Sequence, residues 1–390
     1  VILEGGSRVG GRAHTERASL GLAFDRGCAW LHSGSINPLT ALADRHGAAY
    51  ARANPARRLF VEGRPATAAE AGAADAFLRA GYEAVRAAGA RGEDRPVAEV
   101  TPRDHPWSPL LDYFIAAITA ADVEACSTLD YTAERDTDEN WPVREGLGAV
   151  IARYGRGLPV VLDAPVRRVH WGGREVEVQT ADTTYRARAA IVTVSTGVLA
   201  AGMIAFDPPL PEAKRAAIEA LPMGCANKVA VRFAREVTGL APNTYAVDVV
   251  DRRRTLGFHV DPFGRPVTVA YFGGGLGAEL EALGPEAMQA LVIERLAGLF
   301  GQRVKRERRA ATATRWNADP LVRGAYSAAR PGAARARAVL AEPVGERVLF
   351  AGEAVSTEFF ATAHGAFLTG VDAGRRALGL LENTSRKRRR

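Results

Sequence analysis

An acidic residue followed by a glycine-rich, arginine-containing loop stands near the start of the sequence (LEGGSRVGGR, residues 3–12). At the end of a strand, a carboxylate such as Glu4 can accept hydrogen bonds from both ribose hydroxyls of a dinucleotide. Gly10 and Gly11 would let the backbone approach a diphosphate, and Arg8 and Arg12 would supply charge-assisted hydrogen bonds. Taken alone, the same pattern more often marks a glycine-rich turn with solvated arginines.

A second junction of this kind lies near residue 350. An apolar run at 347–351 ends in Gly352 and Glu353, an aromatic residue follows at Phe359, and a helix is expected to begin near Thr362. The first turn of a helix offers unpaired N–H groups and partial positive charge, which would stabilise an anionic ring edge. Other strand–loop–helix junctions share part of this pattern.

One of only four lysines lies at the start of a predicted strand. Alternation places Val229, Val231 and Phe233 on one face of this strand and Lys228 on the other. Lysine supplies a compact, titratable ammonium where arginine would present a fixed fork. From these residues alone, a functional ammonium and a strand-end lysine that reaches solvent are equally good interpretations.

The segment FDRGCAWLH (24–32) combines small residues with an aromatic ring and an imidazole. The small side chain of Ala29 beside Trp30 would let a flat ring approach the backbone, and His32 could exchange protons with a ligand. By itself, such a tryptophan is more often part of a core, and such a histidine more often has a structural role.

Short β-branched runs alternate with alanine-rich helical stretches, which predicts the α/β class, or α+β overall. Strands are predicted at 160–162, 166–170, 175–179, 191–194, 228–233, 244–250, 266–272 and 347–351. Helices are predicted from Ser108, at 285–300, and from His364 to about Leu381. The segment 62–105, rich in Ala, Gly, Arg and Pro, is expected to be an irregular, partly helical insertion.

The composition is that of an ordinary globular protein. Of the 390 residues, 47% are apolar and 24% are charged, which excludes a disordered chain and a collagen-like repeat. Cys28, Cys126 and Cys225 are far apart and lack Cys-x-x-Cys spacing, so neither a metal site nor a disulfide framework is expected. No leader pattern opens the sequence, and a reducing, cytoplasmic location is the expectation.

Neither charge nor apolar runs indicate nucleic acid or membrane as a partner. The net charge is +7, but arginine is spread along the chain, and the basic run at 386–390 belongs to a tail (381–390) expected to be solvated. An uncharged stretch at 189–206 has the length of a membrane span. Its β-branched residues and the break at Gly197 favour a buried strand and a turn.

In this order, the motifs resemble those of the FAD-dependent amine oxidase superfamily, which includes polyamine oxidases, monoamine oxidases and bacterial flavin monoamine oxidases. The resemblance runs from Val1 to about Leu378, and each supporting motif is weak by itself. The supporting stretches are EGLG at 145–148, VRRV at 166–169, 191–199 leading into FDPPLP at 206–211, LPMG at 221–224, RW at 315–316, DP at 319–320 and GAYS at 324–327.

The resemblance implies an FAD cofactor and a set of residues along it. These residues are Glu4 at the adenosine ribose, Arg8, Gly10, Gly11 and Arg12 along the diphosphate and the flavin edge, Ala29 and Trp30 near the flavin ring, Val166 at the adenine, Gly352 and Glu353 at the ribityl chain, and Thr362 and Ala363 at the pyrimidine end of the flavin. No cysteine lies near 325–331 or in the Phe359 loop, so noncovalent binding is expected.

The resemblance also implies residues on the substrate side. Lys228 would hold a water at the flavin N5, Trp316 and Phe359 would border the substrate cage, and His32 matches the histidine of a Trp-x-His segment in polyamine oxidases. Phe359 stands where many relatives have tyrosine, which would make the cage more apolar. Ser195 replaces a proline that is usual in the family.

One departure concerns the cofactor site itself. The family has a strand, a G-x-G-x-x-G turn and a helix about 20 residues ahead of the acid. They are absent from this sequence, so either the sequence is trimmed or the chain has lost part of its FAD site and one strand of a sheet.

The resemblance implies two domains. A Rossmann-like FAD-binding domain would be formed by 1–60, 146–205 and 330–380, and a substrate domain with a mixed sheet and helices by 61–145 and 206–329. The pocket should then lie at their interface.

The implied reaction is hydride transfer from the α C–H of a neutral amine to flavin N5, with O2 reduced to hydrogen peroxide. Five acids in the stretch 130–139 would attract a polycation if they rim the entrance, although a solvated loop is the more ordinary interpretation. With His32, this stretch favours polyamines slightly over monoamines. An L-amino-acid oxidase of the same superfamily and a truncated, non-catalytic homologue remain as alternatives, and the sequence predicts no oligomeric state.

Overall fold

The computed structural model describes the backbone of residues 1–387 and the side chains of residues 1–380. The side chains of the predicted basic tail at 381–390 therefore lie outside the described part. The strands are β1 (Ile2–Leu3), β2 (Thr15–Glu16), β3 (Phe24–Asp25), β4 (Trp30–His32), β5 (Ala56–Val61), β6 (Arg64–Pro65), β7 (Asn140–Pro142), β8 (Val160–Val161), β9 (Arg168–His170), β10 (Val176–Gln179), β11 (Thr184–Ala187), β12 (Ala190–Val192), β13 (Ala205–Asp207), β14 (Ala226–Phe233), β15 (Thr244–Val249), β16 (Leu256–Val260), β17 (Val267–Gly273), β18 (Arg308–Ala313) and β19 (Val348–Phe350).

The helices connect and cover these strands, and the α/β class predicted from the sequence is confirmed. They are α1 (Pro38–Arg45), α2 (Ala68–Ala90), α3 (Ser108–Thr119), α4 (Thr128–Ala133), α5 (Leu147–Tyr154), α6 (Thr196–Ala200), α7 (Glu212–Ala220), α8 (Gly274–Leu283), α9 (Pro285–Phe300), α10 (Arg303–Glu307), α11 (Ala336–Ala341) and α12 (Ala363–Lys387). No helix within residues 1–387 has both the length and the apolar character that a membrane crossing requires.

A seven-stranded mixed sheet forms the larger layer of the molecule, in the order β18-β14-β17-β16-β15-β5-β6. Its neighbours are antiparallel except for β15 and β5, which run parallel. The alternation predicted for β14 is present, because Val229, Val231 and Phe233 are buried in one cluster with Met288 and Val292 of α9. Lys228 consequently points away from that core.

Two short parallel pairs lie apart from this sheet: β1 with β8, and β12 with β19. Within the described residues the two pairs do not share a hydrogen-bonded edge. Helix α12 packs on β12 and β19, and Ala373 of the helix is buried with Leu349 and Ala351. This packing places the first turn of α12 beside the carboxyl end of β19.

The segment 62–105 is partly helical, as predicted, but its helical part is the regular 23-residue helix α2. Its start is fixed by a capping box in which the Thr67 hydroxyl accepts from the Glu70 N–H, while the Glu70 carboxylate accepts from the Thr67 N–H. The abundant alanines favour the helix, and two of its three glycines, Gly81 and Gly89, lie in close contact with neighbouring side chains. The T-x-x-E pattern at 67–70 was a readable signal for this start.

Helix α2 crosses α4 at a glycine. A Cβ added at Gly89 would overlap the side chain of Thr132, whereas a Cβ added at Gly72 of the same helix would meet nothing within 4 Å. Both glycines lie inside the helix, so an alanine at either position would gain helix propensity. An alanine at position 89 would require α4 to move, whereas an alanine at position 72 would not.

We predict that Gly89→Ala lowers the free energy of unfolding by about 1–3 kcal/mol because of the overlap. The matched variant Gly72→Ala should raise this free energy by about 0.5–1 kcal/mol. Urea unfolding followed by circular dichroism measures both values. Equal effects of the two substitutions would contradict the packing described.

Candidate active site

A cavity of about 2330 Å³ lies between the seven-stranded sheet and the small parallel pairs. This volume is well above the roughly 300–1,000 Å³ of a typical small-molecule site. Fifteen of the residues singled out from the sequence line it: Glu4, Arg8, Gly10, Gly11, Arg12, Ala29, Trp30, His32, Val166, Lys228, Trp316, Gly352, Glu353, Thr362 and Ala363. The motifs at the two ends of the chain and the start of β14 thus converge on one space.

Phe359 departs from the prediction, because it is not among the described residues that line the cavity. Its ring packs against the imidazole of His364, with the ring centroids 4.8 Å apart. Its carbonyl accepts a hydrogen bond from the Thr362 hydroxyl, which also caps the Gly365 N–H in the first turn of α12. Phe359 therefore packs against the first turn of α12 and is not part of the cavity wall.

The Glu353 carboxylate is the most heavily bonded acid of the cavity, and it is buried. Its oxygens accept from Arg12 Nη1 at 2.9 Å, from the Ser327 hydroxyl at 2.7 Å and from the Ala361 N–H at 3.1 Å. Burial alone would raise the pKa of Glu353, but the charges of Arg12 and Arg337 and these hydrogen bonds bring it below its ordinary value. Glu353 is therefore an anion that holds Arg12 in place.

Arg337 extends this network to the substrate side of the molecule. Its guanidinium, 1% exposed, forms two hydrogen bonds of 2.7 and 2.8 Å with the Asp130 carboxylate. Nη1 donates to the Ser327 hydroxyl at 2.9 Å, and the Phe360 ring lies 4.0 Å beneath the guanidinium. A continuous chain of contacts thus runs from Arg12 through Glu353, Ser327 and Arg337 to Asp130.

The Lys228 ammonium lies at the start of β14 and lines the cavity beside residues 26–28. Its Nζ donates to the carbonyl oxygens of Asp25, at 3.0 Å, and Gly27, and lies 5.3 Å from the centroid of the Tyr271 ring. Burial lowers the pKa of Lys228 to about 8, although the charges of Asp25 and Cys28 oppose this shift. Lys228 is therefore an oriented donor, and its proton can be released near neutral pH.

The Asp25 carboxylate fixes the backbone to which Lys228 is bonded. It accepts from the N–H groups of Leu147 and Gly148, at 2.9 and 3.1 Å, and so caps the start of α5. Burial raises the pKa of Asp25, while these donors and Lys228 oppose the change. The carbonyl groups that orient Lys228 are thereby tied to a helix terminus.

The imidazole of His32 is accessible from the cavity and hydrogen-bonds the Asn140 side chain at 2.5 Å. Enclosure by surrounding atoms lowers the pKa of His32, against the effects of Asn140 and Asp136. The Trp30 ring lies 4.8 Å from the imidazole of His259, whose pKa burial lowers to about 3. Their surroundings disfavour the charged form of both imidazoles, which contact neighbouring side chains through hydrogen bonding and packing.

Sequence reasoning missed most of the aromatic wall. Tyr245 and Tyr271 lie on β15 and β17, and Tyr326 lies in the GAYS segment; all three line the cavity, and burial raises their pKa values well above the ordinary range. The alternation within the predicted strands 244–250 and 266–272 was the signal for the first two. The wall is neutral and offers ring faces to a ligand.

The acid-rich stretch 130–139 divides into groups with different positions. Glu134, Asp136 and Asp138 line the cavity, whereas Asp130 is bound to Arg337, and Glu139 accepts from Ser35 and Thr137. Among the side chains described, no group of three His, Cys, Asp or Glu residues is arranged to hold a metal ion.

A family model for flavin-containing amine oxidoreductases matches residues 1–378. The chain belongs to this family. It is an oxidoreductase in which a flavin is the cofactor. The match covers all the motifs on which the resemblance was based.

Individual relatives agree with this assignment. The chain is 30% identical to a probable polyamine oxidase 4 of Arabidopsis thaliana, over 96% of this chain and 81% of the relative, and 29% identical to polyamine oxidase 4 of Oryza sativa, over 96% and 82%. It is also 30% identical to a lysine-specific histone demethylase 1 homolog 2 of Arabidopsis thaliana, over 69% of this chain but only 38% of that relative's length.

A solved structure shares the fold. Cyclohexylamine oxidase from Brevibacterium oxydans superimposes with a TM-score of 0.77, covering 99% of this chain and 94% of that protein, at 20% sequence identity. At this identity the likeness is one of fold. It agrees with the mixed sheet and the small parallel pairs described above.

The residues present fit a flavin dinucleotide. Gly11 has a φ of 53°, and a Cβ added there would meet nothing within 4 Å, so its backbone borders open space. Ala361 adopts a φ of 58°, unusual for alanine, while its N–H is bonded to Glu353 beside the start of α12. Glycine backbone and fixed guanidinium groups suit a diphosphate, and the N-terminus of α12 suits an anionic ring edge, whereas the helix of the G-x-G-x-x-G turn is not part of this sequence.

We predict that Ser327→Ala lowers the free energy of unfolding by about 1–3 kcal/mol, because it removes one partner from both Arg337 and Glu353 in a buried setting. Ser35→Ala, which removes an exposed hydroxyl bonded to Glu139, is the matched control and should change this value by less than about 0.5 kcal/mol. Chemical denaturation measures both values. A loss no greater at Ser327 than at Ser35 would contradict the importance of the network.

Proposed function

We propose that the chain binds FAD noncovalently in this cavity and catalyses the oxidative deamination of an amine, either a polyamine or a monoamine. When bound, FAD accepts a hydride from the carbon next to the amine nitrogen and passes the electrons to O2, which gives hydrogen peroxide. Hydrolysis of the imine product by water would give a carbonyl compound, together with ammonia from a primary amine or a smaller amine from a secondary one. The observation that carries the proposal is the convergence of Glu4, Lys228 and Glu353 on one cavity.

The cofactor would lie along the cavity wall built by the two ends of the chain. Glu4 would accept from the adenosine ribose, because its strand ends at the cavity and one carboxylate oxygen already accepts from the Gly6 N–H at 2.8 Å. Arg8 and Arg12 would offer guanidinium groups to the diphosphate side. Glu353 would lie at the ribityl chain, and its four accepted hydrogen bonds suit it to orienting Arg12.

The start of α12 would contact the pyrimidine end of the ring system. Its first-turn N–H groups, including that of Ala363, carry the partial positive charge of the helix terminus. Val166 would lie at the adenine, and Ala29 and Trp30 beside the ring. These assignments are supported by the lining of the cavity and by the family match.

On the substrate side, the aromatic wall would exclude water and align the reacting C–H bond. Trp316 is buried, and its indole N–H donates to the Arg26 carbonyl at 3.2 Å, which fixes the ring plane at the cavity. Lys228, with a pKa near 8, would hold a water molecule and exchange a proton with it during imine hydrolysis. His32 would contribute a hydrogen bond at the rim.

The non-catalytic alternative is weakened by the open cavity, because the described side chains do not fill it.

An amine oxidase and an amino-acid oxidase can be separated by the substrates from which hydrogen peroxide is released. Hydrogen peroxide formed from spermidine or tyramine, but not from leucine, supports amine oxidation, and the reverse pattern supports an amino-acid oxidase. The visible spectrum of the purified protein after FAD addition tests cofactor binding independently.

We also propose a cytoplasmic location, with O2 and a small-molecule amine as partners. Cys28, Cys126 and Cys225 are free thiols in the described structure, which suits a reducing compartment. Burial raises the pKa of Cys28 to about 12, so this thiol stays protonated beside the cavity. Its low thiolate content favours the noncovalent mode of flavin binding.

We predict that Lys228→Met slows turnover by about 10²–10⁴-fold, because the positioned donor is removed, while FAD remains bound. Rapid-mixing measurements of flavin reduction and reoxidation, together with the flavin absorbance per protein, give both readouts. The control is Lys305→Met, which breaks a surface ion pair with Glu294 and should leave both rates unchanged. Unchanged rates in Lys228→Met would contradict the role.

A further inference from the structure

Glu281 of α8 is a buried acid whose hydrogen-bond donors, within the described residues, are all neutral. One carboxylate oxygen accepts from the Ala318 N–H at 2.8 Å, and the other accepts from the side-chain amide of Asn227 at 2.6 Å. The Cys225 thiol and the Asn317 N–H also reach the second oxygen, at 3.6 and 3.4 Å. The residue is 5% exposed. A buried carboxylate is stable only when donors fill its oxygens, so these partners are held in place together.

Asn227 carries the contact from Glu281 to the wall of the cavity. Because its amide nitrogen donates to Glu281, its oxygen faces the turn after β18, where it accepts from the Trp316 N–H at 3.2 Å and the Thr314 hydroxyl at 3.0 Å. The Thr314 oxygen in turn accepts from the Lys228 N–H at 2.8 Å. The acid therefore fixes the direction of the amide, and the amide fixes the backbone of two residues that line the cavity.

The side chains of Lys228 and Trp316 end on the same short segment. Lys228 Nζ donates to the carbonyl oxygens of Asp25 and Gly27. The Trp316 indole N–H donates to the carbonyl oxygen between them, that of Arg26, at 3.2 Å. Backbone contacts at one end and three consecutive carbonyl groups at the other thus define the spacing of the ammonium and the indole. A donor or acceptor lost on the backbone side would let both side chains move.

We propose that Glu281 is a positioning residue of the active site, which through Asn227 sets the relative placement of Lys228 and Trp316. The proposal rests on the proposed amine oxidation, because it concerns the geometry of the same cavity. Glu281 is not among the described residues that line the cavity, so it would act without touching cofactor or substrate. A displacement of about 1 Å at a reacting group costs up to about 100-fold in rate, which makes such a support measurable.

The hydrogen-bond pairing between positions 281 and 227 can be exchanged. Glu281→Gln alone sets an amide N–H against the N–H group of Asn227, and turning that amide over would set its N–H against the Trp316 N–H. Asn227→Asp alone sets two carboxylates at hydrogen-bond distance. In the double variant, the new amide at position 281 can donate to the new carboxylate at position 227. The N–H groups of Trp316 and Ala318 then keep their acceptors, so the original geometry is restored.

Kinetics of the FAD-loaded full chain, with spermidine and tyramine as substrates, test the proposal. Glu281→Gln and Asn227→Asp should each lower kcat by about 10- to 100-fold, with a much smaller change in KM, because the reacting groups are misplaced rather than removed. The double variant should recover most of the lost rate. The control is Glu294→Gln, an equal charge change in a surface ion pair of the adjoining helix α9, which should leave both constants unchanged.

The indole N–H resonance of Trp316 gives a readout that does not depend on turnover. The sequence has five tryptophans, so the indole region of a ¹⁵N spectrum of the full chain is simple, and Trp316→Phe assigns the resonance. The resonance reports the hydrogen bond to the Arg26 carbonyl. It should shift in both single variants and return to its original position in the double variant, with and without FAD.

The outcomes separate this proposal from the proposed function. Unchanged kcat and an unshifted Trp316 resonance in Glu281→Gln would overturn the role of Glu281. A double variant that is slower than both single variants, or that fails to fold, would also overturn it, because the exchanged pairing would then not restore the site. A Trp316 resonance that follows the pairing, in a protein that binds FAD but forms no peroxide from spermidine or tyramine, would support the positioning network and contradict amine oxidation.

Discussion

The buried carboxylate of Glu353 is the interaction on which the arrangement of the cavity depends. Segments distant in sequence meet at its oxygens: Arg12 from the first loop, Ser327 from the GAYS segment and Ala361 from the turn before α12. A buried anion is costly unless its charge is matched and its oxygens are hydrogen-bonded. These partners must therefore be in place together, and this requirement brings the two ends of the chain to one wall.

The same requirement links the cofactor wall to the substrate wall. Arg337 neutralises Asp130 and contacts Ser327, so the short helix that precedes Glu134 is fixed relative to Glu353. The wall that carries Lys228 is set by the large sheet, in which the other face of β14 is buried against α9. A flavin and an amine between these walls would have their relative position determined by rigid elements rather than by mobile loops.

Several elements of the fold and several residues of the candidate site were predictable from local sequence patterns. Alternation identified β14 and placed Lys228 away from the core, and the Gly-Glu end of a strand before a helix identified Glu353 and Ala363. Arg337 has no local signature. The acid-rich stretch 130–139 was recognised, but the sequence could not separate Asp130, which pairs with Arg337, from Glu134, which lines the cavity, because that difference arises from contacts between segments about 200 residues apart. The bounds of helix α2 were not predicted although its capping box was readable, and Phe359 was misplaced because neighbouring positions on a turn can face opposite sides.

The most direct test of the account is a crystal structure of the protein with FAD. The account predicts one flavin dinucleotide in the cavity, with Arg12, Lys228 and the first turn of α12 all lining the space that it occupies. A cofactor bound elsewhere, or a cavity closed around its own side chains after FAD addition, would contradict the central claim that these remote segments form a single flavin site.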